Sequence, residues 1–189
     1  MTEVVLFHHA QGLTPGVIAF ADALRAAGHT VHTPDLFDGR TFATVEAGVD
    51  HARQLGFGEV VERGVRAAEG LPAEVVYGGF SLGVLPAQQL AQTRAGARGA
   101  LLFEAVVPVT EFGEAWPAEV PVQLHAAAHD PYFTEDLEAA KALVGEAAAA
   151  ELFLYPGDRH LFTDSSLASF DPDATRLVTR RVLDFLAAL

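Results

Sequence analysis

The chain has 189 residues, half of them apolar, enough to fill one core, since single domains run roughly 100–200 residues. Its formal charge of −13, with Lys141 the single lysine and Arg180-Arg181 the longest basic run, argues against nucleic acid and anionic membrane surfaces as partners. Binding to either rests on clustered Lys and Arg. Cysteine is absent, which excludes disulfides, thiolate metal sites and a thiol nucleophile together.

The N-terminus, Met1-Thr2-Glu3, carries no basic leader, and no stretch approaches the roughly 20 apolar residues of a membrane span, so a cytoplasmic protein is expected. Val4–Phe7 reads as the first strand. A helix follows, with Thr14 as its cap, Pro15 at its first position, Val17, Ala21 and Leu24 on one apolar stripe, and Gly28 at its end. The next strand is Thr30–Thr33. An excursion from Pro34 to Gly70 then holds predicted helices over Thr44–Leu55 and Gly58–Glu69.

Further strands are predicted at Glu74–Tyr77, Ala100–Phe103, Val122–His125 and Leu152–Leu154. A helix beginning near Thr134 is expected to run out in the alanines Ala147–Ala150. Asp171 and Pro172 start the last helix, whose stripe is Val178, Val182, Phe185 and Leu189. Short apolar runs alternating with helical segments predict one α/β domain over residues 1–189, a mostly parallel sheet covered by helices on both faces. No repeat or linker interrupts it.

The most informative segment is Gly79-Phe80-Ser81-Leu82-Gly83, a G-x-S-x-G placed after an apolar strand and before a segment of helical period. In such an elbow the serine sits on a strained strand-to-helix turn, and the flanking glycines leave room where the backbone crowds together. The Leu82 N–H would then face a developing oxyanion. Pro86 falls inside the proposed helix, where a bend or a loss of stability is expected.

A serine hydroxyl needs a histidine to take its proton and a carboxylate to orient that histidine. The loop after Val122–His125 offers Asp130, followed by Pro131. The loop after Leu152–Leu154 offers His160, in the order serine, acid, base expected of this arrangement. Asp158 is the alternative acid, two residues from His160. Asp130 also reads as a turn or helix-entry residue.

The loop His8-His9-Ala10-Gln11-Gly12 follows the first strand and offers a second oxyanion donor, with Ala10 and His9 as candidates. Glu104, Tyr132 and Phe162, with His9, are candidate substrate-binding residues; Phe37 and Trp116 are further pocket candidates by position. Of the eight histidines, His125 and His129 have metal-like spacing but do not share a helix, so no metal is expected. No cofactor is expected either.

Together these residues resemble the dienelactone hydrolase family. The likeness runs through the loop at His8–Gly12, Pro34-Asp35-Leu36, the Gly79–Gly83 elbow, Asp130-Pro131 and Gly157–Phe162. It implies an α/β-hydrolase fold without a large lid domain, and small ester or lactone substrates. The dienelactone hydrolases proper use a cysteine nucleophile and a glutamate in the first loop, where this chain has Ser81 and His9. The expectation is a serine hydrolase, monomeric or homodimeric, with a thioesterase or acyltransferase, or a non-catalytic binding protein on the same fold, as alternatives.

Overall fold

The computed structural model describes residues 1–189. Its sheet comprises β1 (Glu3–Phe7), β2 (Thr30–His32), β3 (Val75–Phe80), β4 (Gly99–Phe103), β5 (Val122–Ala127) and β6 (Ala150–Tyr155), in spatial order β2-β1-β3-β4-β5-β6. All pairs are parallel. Every predicted strand is present, and β3 runs three residues further than the sequence suggests. Gly78 and Gly79 do not end it, because they pair with Leu6 and Phe7 of β1 in a crowded centre. A Cβ on Gly78 would lie 2.9 Å from the Leu6 side chain.

The helices are α1 (Pro15–Ala26), α2 (Val45–Leu55), α3 (Phe57–Ala68), α4 (Val84–Thr93), α5 (Pro131–Glu146) and α6 (Pro172–Ala188). Their starts follow capping chemistry: the side chains of Thr14, Thr44, Asp130 and Asp171 each accept a first-turn N–H. Two expectations fail for local reasons. Pro86 neither breaks nor bends a helix interior, because a 3-10 turn at Ser81–Gly83 delays α4 and leaves Pro86 in its first turn, where an N–H is dispensable. The alanines Ala147–Ala150 do not extend α5; Ala147 caps it and Ala150 opens β6.

Helices α2 to α5 cover one face of the sheet around a core that includes Ala52, Val60, Val84, Ala87 and Phe133, while α1 and α6 cover the other with Phe20, Leu24, Val178 and Val182. On the α1/α6 face, cross-strand neighbours Phe80, Phe103, His125 and Phe153 stack ring on ring across four strands, with centroids 4.6, 5.4 and 5.3 Å apart. The Arg181 guanidinium closes this ladder 4.2 Å above Phe153. His125 stays neutral within it: Nδ1 accepts from the Tyr155 hydroxyl at 2.8 Å and Nε2–H points to Oε1 of the Gln123 side chain at 3.3 Å.

Because the chain leaves β1 for β2 on one side and returns with β3 on the other, the loops after β1 and β3 part at their C-terminal ends. Ligands of open parallel sheets bind in the crevice this creates. It is where Ser81 and the His8–Gly12 loop lie side by side.

Two glycines of α3 should respond oppositely to the same change. A Cβ on buried Gly64 would lie 2.3 Å from the Pro86 Cβ, whereas exposed Gly58 has nothing within 4 Å. Gly64→Ala should cost roughly 1–3 kcal/mol through overpacking. Gly58→Ala should stabilise by about 0.5 kcal/mol through helix propensity; urea unfolding of the two variants measures both. A further test concerns acid. Burial, and then the nearby Arg181 charge, lower the His125 pKa from 6.5 to about 3. Between those values the unfolded chain binds the extra proton, so this contribution to stability is lost as pH falls. His125→Phe should flatten the loss of melting temperature between pH 6.5 and 4, and an unchanged slope would refute the assignment.

Candidate active site

The site begins where β3 turns into α4. Ser81 takes a left-handed backbone, φ 48°, a conformation costing a non-glycine residue roughly 1–3 kcal/mol. The surroundings enforce it. A Cβ on Gly79 would sit 2.0 Å from the Gly83 carbonyl oxygen, and one on Gly83 would sit 2.5 and 2.7 Å from the carbonyl oxygens of Phe7 and His8. Strand, turn and first loop thus meet backbone to backbone, and the serine side chain is pushed out at the sheet's edge.

Two more loops bring the partners. The Ser81 hydroxyl donates to His160 Nε2 at 2.9 Å, and His160 Nδ1–H donates to Asp130 Oδ2 at 2.6 Å. Asp130, rather than Asp158, meets the imidazole, and it is fully buried. Its other oxygen, Oδ1, accepts the Tyr132 N–H at 2.9 Å as the cap of α5. Backbone bonds from Ala128 N to Tyr155 O (2.7 Å) and His129 N to Gly157 O (2.9 Å) tie the Asp130 loop to the His160 loop. Burial disfavours the imidazolium, yet the Asp130 hydrogen bond and the charges of Glu104, Asp130 and Asp136 outweigh it and raise the His160 pKa.

The loop after β1 is fixed by buried polar contacts. His8 Nδ1–H donates to the His9 carbonyl at 2.7 Å and its Nε2 accepts from Leu36 N–H at 2.9 Å. Burial lowers its pKa to about 4, so the ring is neutral. His9 Nδ1 accepts from Gln11 N–H at 3.2 Å, and Nε2–H donates to Asp164 Oδ2 at 2.8 Å. Thr14 and Ser166 hydroxyls also donate to Asp164. Burial opposes ionisation of Asp164, but the bonds from His9, Ser166 and Thr14 prevail and lower its pKa to about 2. The Ala10 N–H has no acceptor within the chain, and Leu82 N–H follows the serine directly.

Sequence reasoning missed Asp164 and Glu46. Asp164 lies four residues past His160 and braces the first loop against the base loop, a pairing across 155 positions that no local pattern announces. Glu46, on α2, accepts the Tyr132 hydroxyl at 2.7 Å. Tyr132 is exposed at the site's rim, its ring centroid 4.5 Å from that of His160.

The remaining candidates lie deeper. His9 and Phe162 are buried, Phe162 against Tyr155 and the α1/α6 core. Glu104 is 1% exposed at the end of β4. Phe37 packs on His8 and His51, and Trp116 Nε1–H donates to the Val120 carbonyl at 2.6 Å. No group of three or more His, Asp or Glu side chains is arranged to hold a metal ion. No helix is long and apolar enough to cross a membrane.

Solved structures of similar shape include a candidate dienelactone hydrolase from Klebsiella pneumoniae (TM-score 0.76, 18% identity, 100% of this chain and 88% of that one). A dienelactone hydrolase-like promiscuous phosphotriesterase from metagenomic libraries is also similar (TM-score 0.77, 18% identity, 100% and 87%). So is a candidate hydrolase of the α/β superfamily from Xanthomonas campestris (TM-score 0.64, 22% identity, 100% of both chains). These likenesses establish the α/β-hydrolase fold, here without a large lid domain. No protein of curated function matches the sequence. The profile of the dienelactone hydrolase family matches residues 1–189, and the chain belongs to that family of hydrolases.

Proposed function

We propose that the protein is a serine hydrolase that cleaves small esters or lactones through an acyl-enzyme, with Ser81 as nucleophile, His160 as base and Asp130 as its orienting acid. The observation that carries this reading is the unbroken relay from Ser81 Oγ through the His160 ring to Asp130, at 2.9 and 2.6 Å. Hydrogen bonds at both ring nitrogens select the tautomer whose Nε2 lone pair faces the Ser81 hydroxyl.

In the first step Ser81 Oγ attacks the ester carbonyl carbon while its proton passes to Nε2. The negative charge that forms on the carbonyl oxygen is taken by the N–H groups of Leu82 and Ala10, and each such donor is worth roughly 10²–10³ in rate. The imidazolium then returns its proton to the departing alkoxide, and the carbon–oxygen bond breaks. Water repeats the sequence on the acyl-enzyme, giving its proton to His160 and releasing the acid and free Ser81. No cofactor takes part in this scheme.

The rim beside the serine is built by Tyr132. Tyr132 leans over His160 and reaches Glu46, so the starts of α5 and α2 are joined beside the serine.

Fluorophosphonate labelling followed by peptide mass spectrometry tests the reading. A single adduct on Ser81 is expected, with labelling and p-nitrophenyl acetate hydrolysis both falling at least ~10³-fold in His160→Ala. Absence of an adduct on Ser81 would refute the proposal and favour a binding protein. A labelled serine that transfers its acyl group to thiols or alcohols in preference to water would identify an acyltransferase instead.

A further inference from the structure

One buried ionisable group has no part in the scheme above. Glu104 ends β4, between the strand that carries Ser81 and the strand that leads to Asp130. It is 1% exposed, and neither carboxyl oxygen has a hydrogen-bond partner. Its backbone is left-handed, φ 64°, and its N–H is fixed to the His125 carbonyl at 2.7 Å. A buried carboxyl without partners is costly, and the fold holds it there on a strained residue.

Its surroundings indicate what it acts on. The main-chain N–H groups of Thr163 and Phe162, in the His160 loop, face it without reaching hydrogen-bond geometry, and the charged groups within its reach are His160 and Asp130. Those facing His160 are Asp130 at the start of α5, Asp136 within α5 and Glu104 from β4, with the Tyr132 phenol at the rim and Asp158 and Arg159 in its own loop. Glu104 is thus one of the few charges near the imidazole that water does not screen.

We infer that Glu104 is a positioning residue for the proposed acyl transfer, a second carboxylate that stabilises the His160 imidazolium formed when Ser81 attacks, acting through space behind the Asp130 hydrogen bond. The inference rests on the proposed function. Burial raises the Glu104 pKa to about 7, opposed by the His160 charge, so the protonation of the carboxyl and that of the imidazole depend on each other. An ionised Glu104 makes His160 more basic; a protonated one leaves Asp130 and the more distant Asp136 as its acidic neighbours.

This coupling gives the test a signature that a packing role lacks. Protonated glutamic acid and glutamine are nearly isosteric and both neutral, so Glu104→Gln should match the natural protein at pH 5.5 and fall behind as pH rises. The rate of fluorophosphonate inactivation, and kcat/KM for p-nitrophenyl acetate, should be equal within a factor of two at pH 5.5 and roughly threefold to tenfold lower in the variant at pH 8.5. The His160 titration, followed by NMR of the imidazole carbons, should move down by roughly 1 unit in the variant. In the unaltered protein the same resonances should show a second step as the Glu104 carboxyl carbon titrates.

A pH-independent loss, or an unmoved His160 titration, would overturn the inference, as would a Glu104 carboxyl that does not titrate between pH 5 and 9. The NMR titrations need no turnover and, in the unaltered protein, no variant. A Ser81 that never labels therefore defeats the proposed function, while the His160 shift still decides the part assigned to Glu104.

Discussion

The close approach of three backbone segments at Gly79, Ser81 and Gly83 is the constraint on which the rest of the site depends. The Gly83 α-carbon lies against the carbonyls of Phe7 and His8, so α4 can start only where β1 ends. That contact gives Ser81 its left-handed backbone and sets the His8–Gly12 loop beside it. The N-terminus of α4 then adds the partial positive charge of its unpaired N–H groups to the same point. A methyl group on either glycine would separate these elements, so the positions of Ser81 and the His8–Gly12 loop are one geometrical fact.

Around that point the loops after β1, β5 and β6 brace one another by polar contacts buried from water. Asp164 holds His9 and Thr14, which fixes the first loop to the base loop and both to the start of α1. Gly16 permits this, since a Cβ there would lie 1.7 Å from an Asp164 carboxyl oxygen. Low dielectric strengthens such bonds and also makes each one costly to leave unmade, so the network has few alternative arrangements. The aromatic ladder across β3 to β6 supplies the rigid floor beneath it.

Most of the fold was legible because its signals are local. Alternating apolar runs, a Thr or Asp before Pro at two helix starts, and glycines around a serine each carry their meaning within about ten residues. What was hidden depends on separation in sequence or on what lies underneath. Pro86 looked disruptive until the 3-10 turn displaced the helix start by three residues. Ala147–Ala150 has helical composition, yet Ala150 must pair with Val122, and the sheet overrides propensity. His9, Phe162 and Glu104 could be placed at the right edge from order alone, but not their depth, because burial is decided by neighbours from other elements.

Asp130 caps a helix and meets the histidine with one side chain. An Asp before Pro is a helix-entry signal, and Asp130 is a helix cap; the same side chain, through its second oxygen, receives the His160 N–H. The cap is what makes it a good partner for histidine. One carboxyl oxygen bonded to the first turn of α5 removes the rotamer freedom that a loop carboxylate would have to lose on meeting the imidazole. Asp158, in a turn with no such anchor, lacks that advantage although it stands closer to His160 in sequence. Thr14 repeats the pattern, capping α1 while donating to Asp164. In a parallel sheet with crossover helices the helix N-termini lie at the edge where ligands bind, so an N-capping residue is already held where a reacting group must be held.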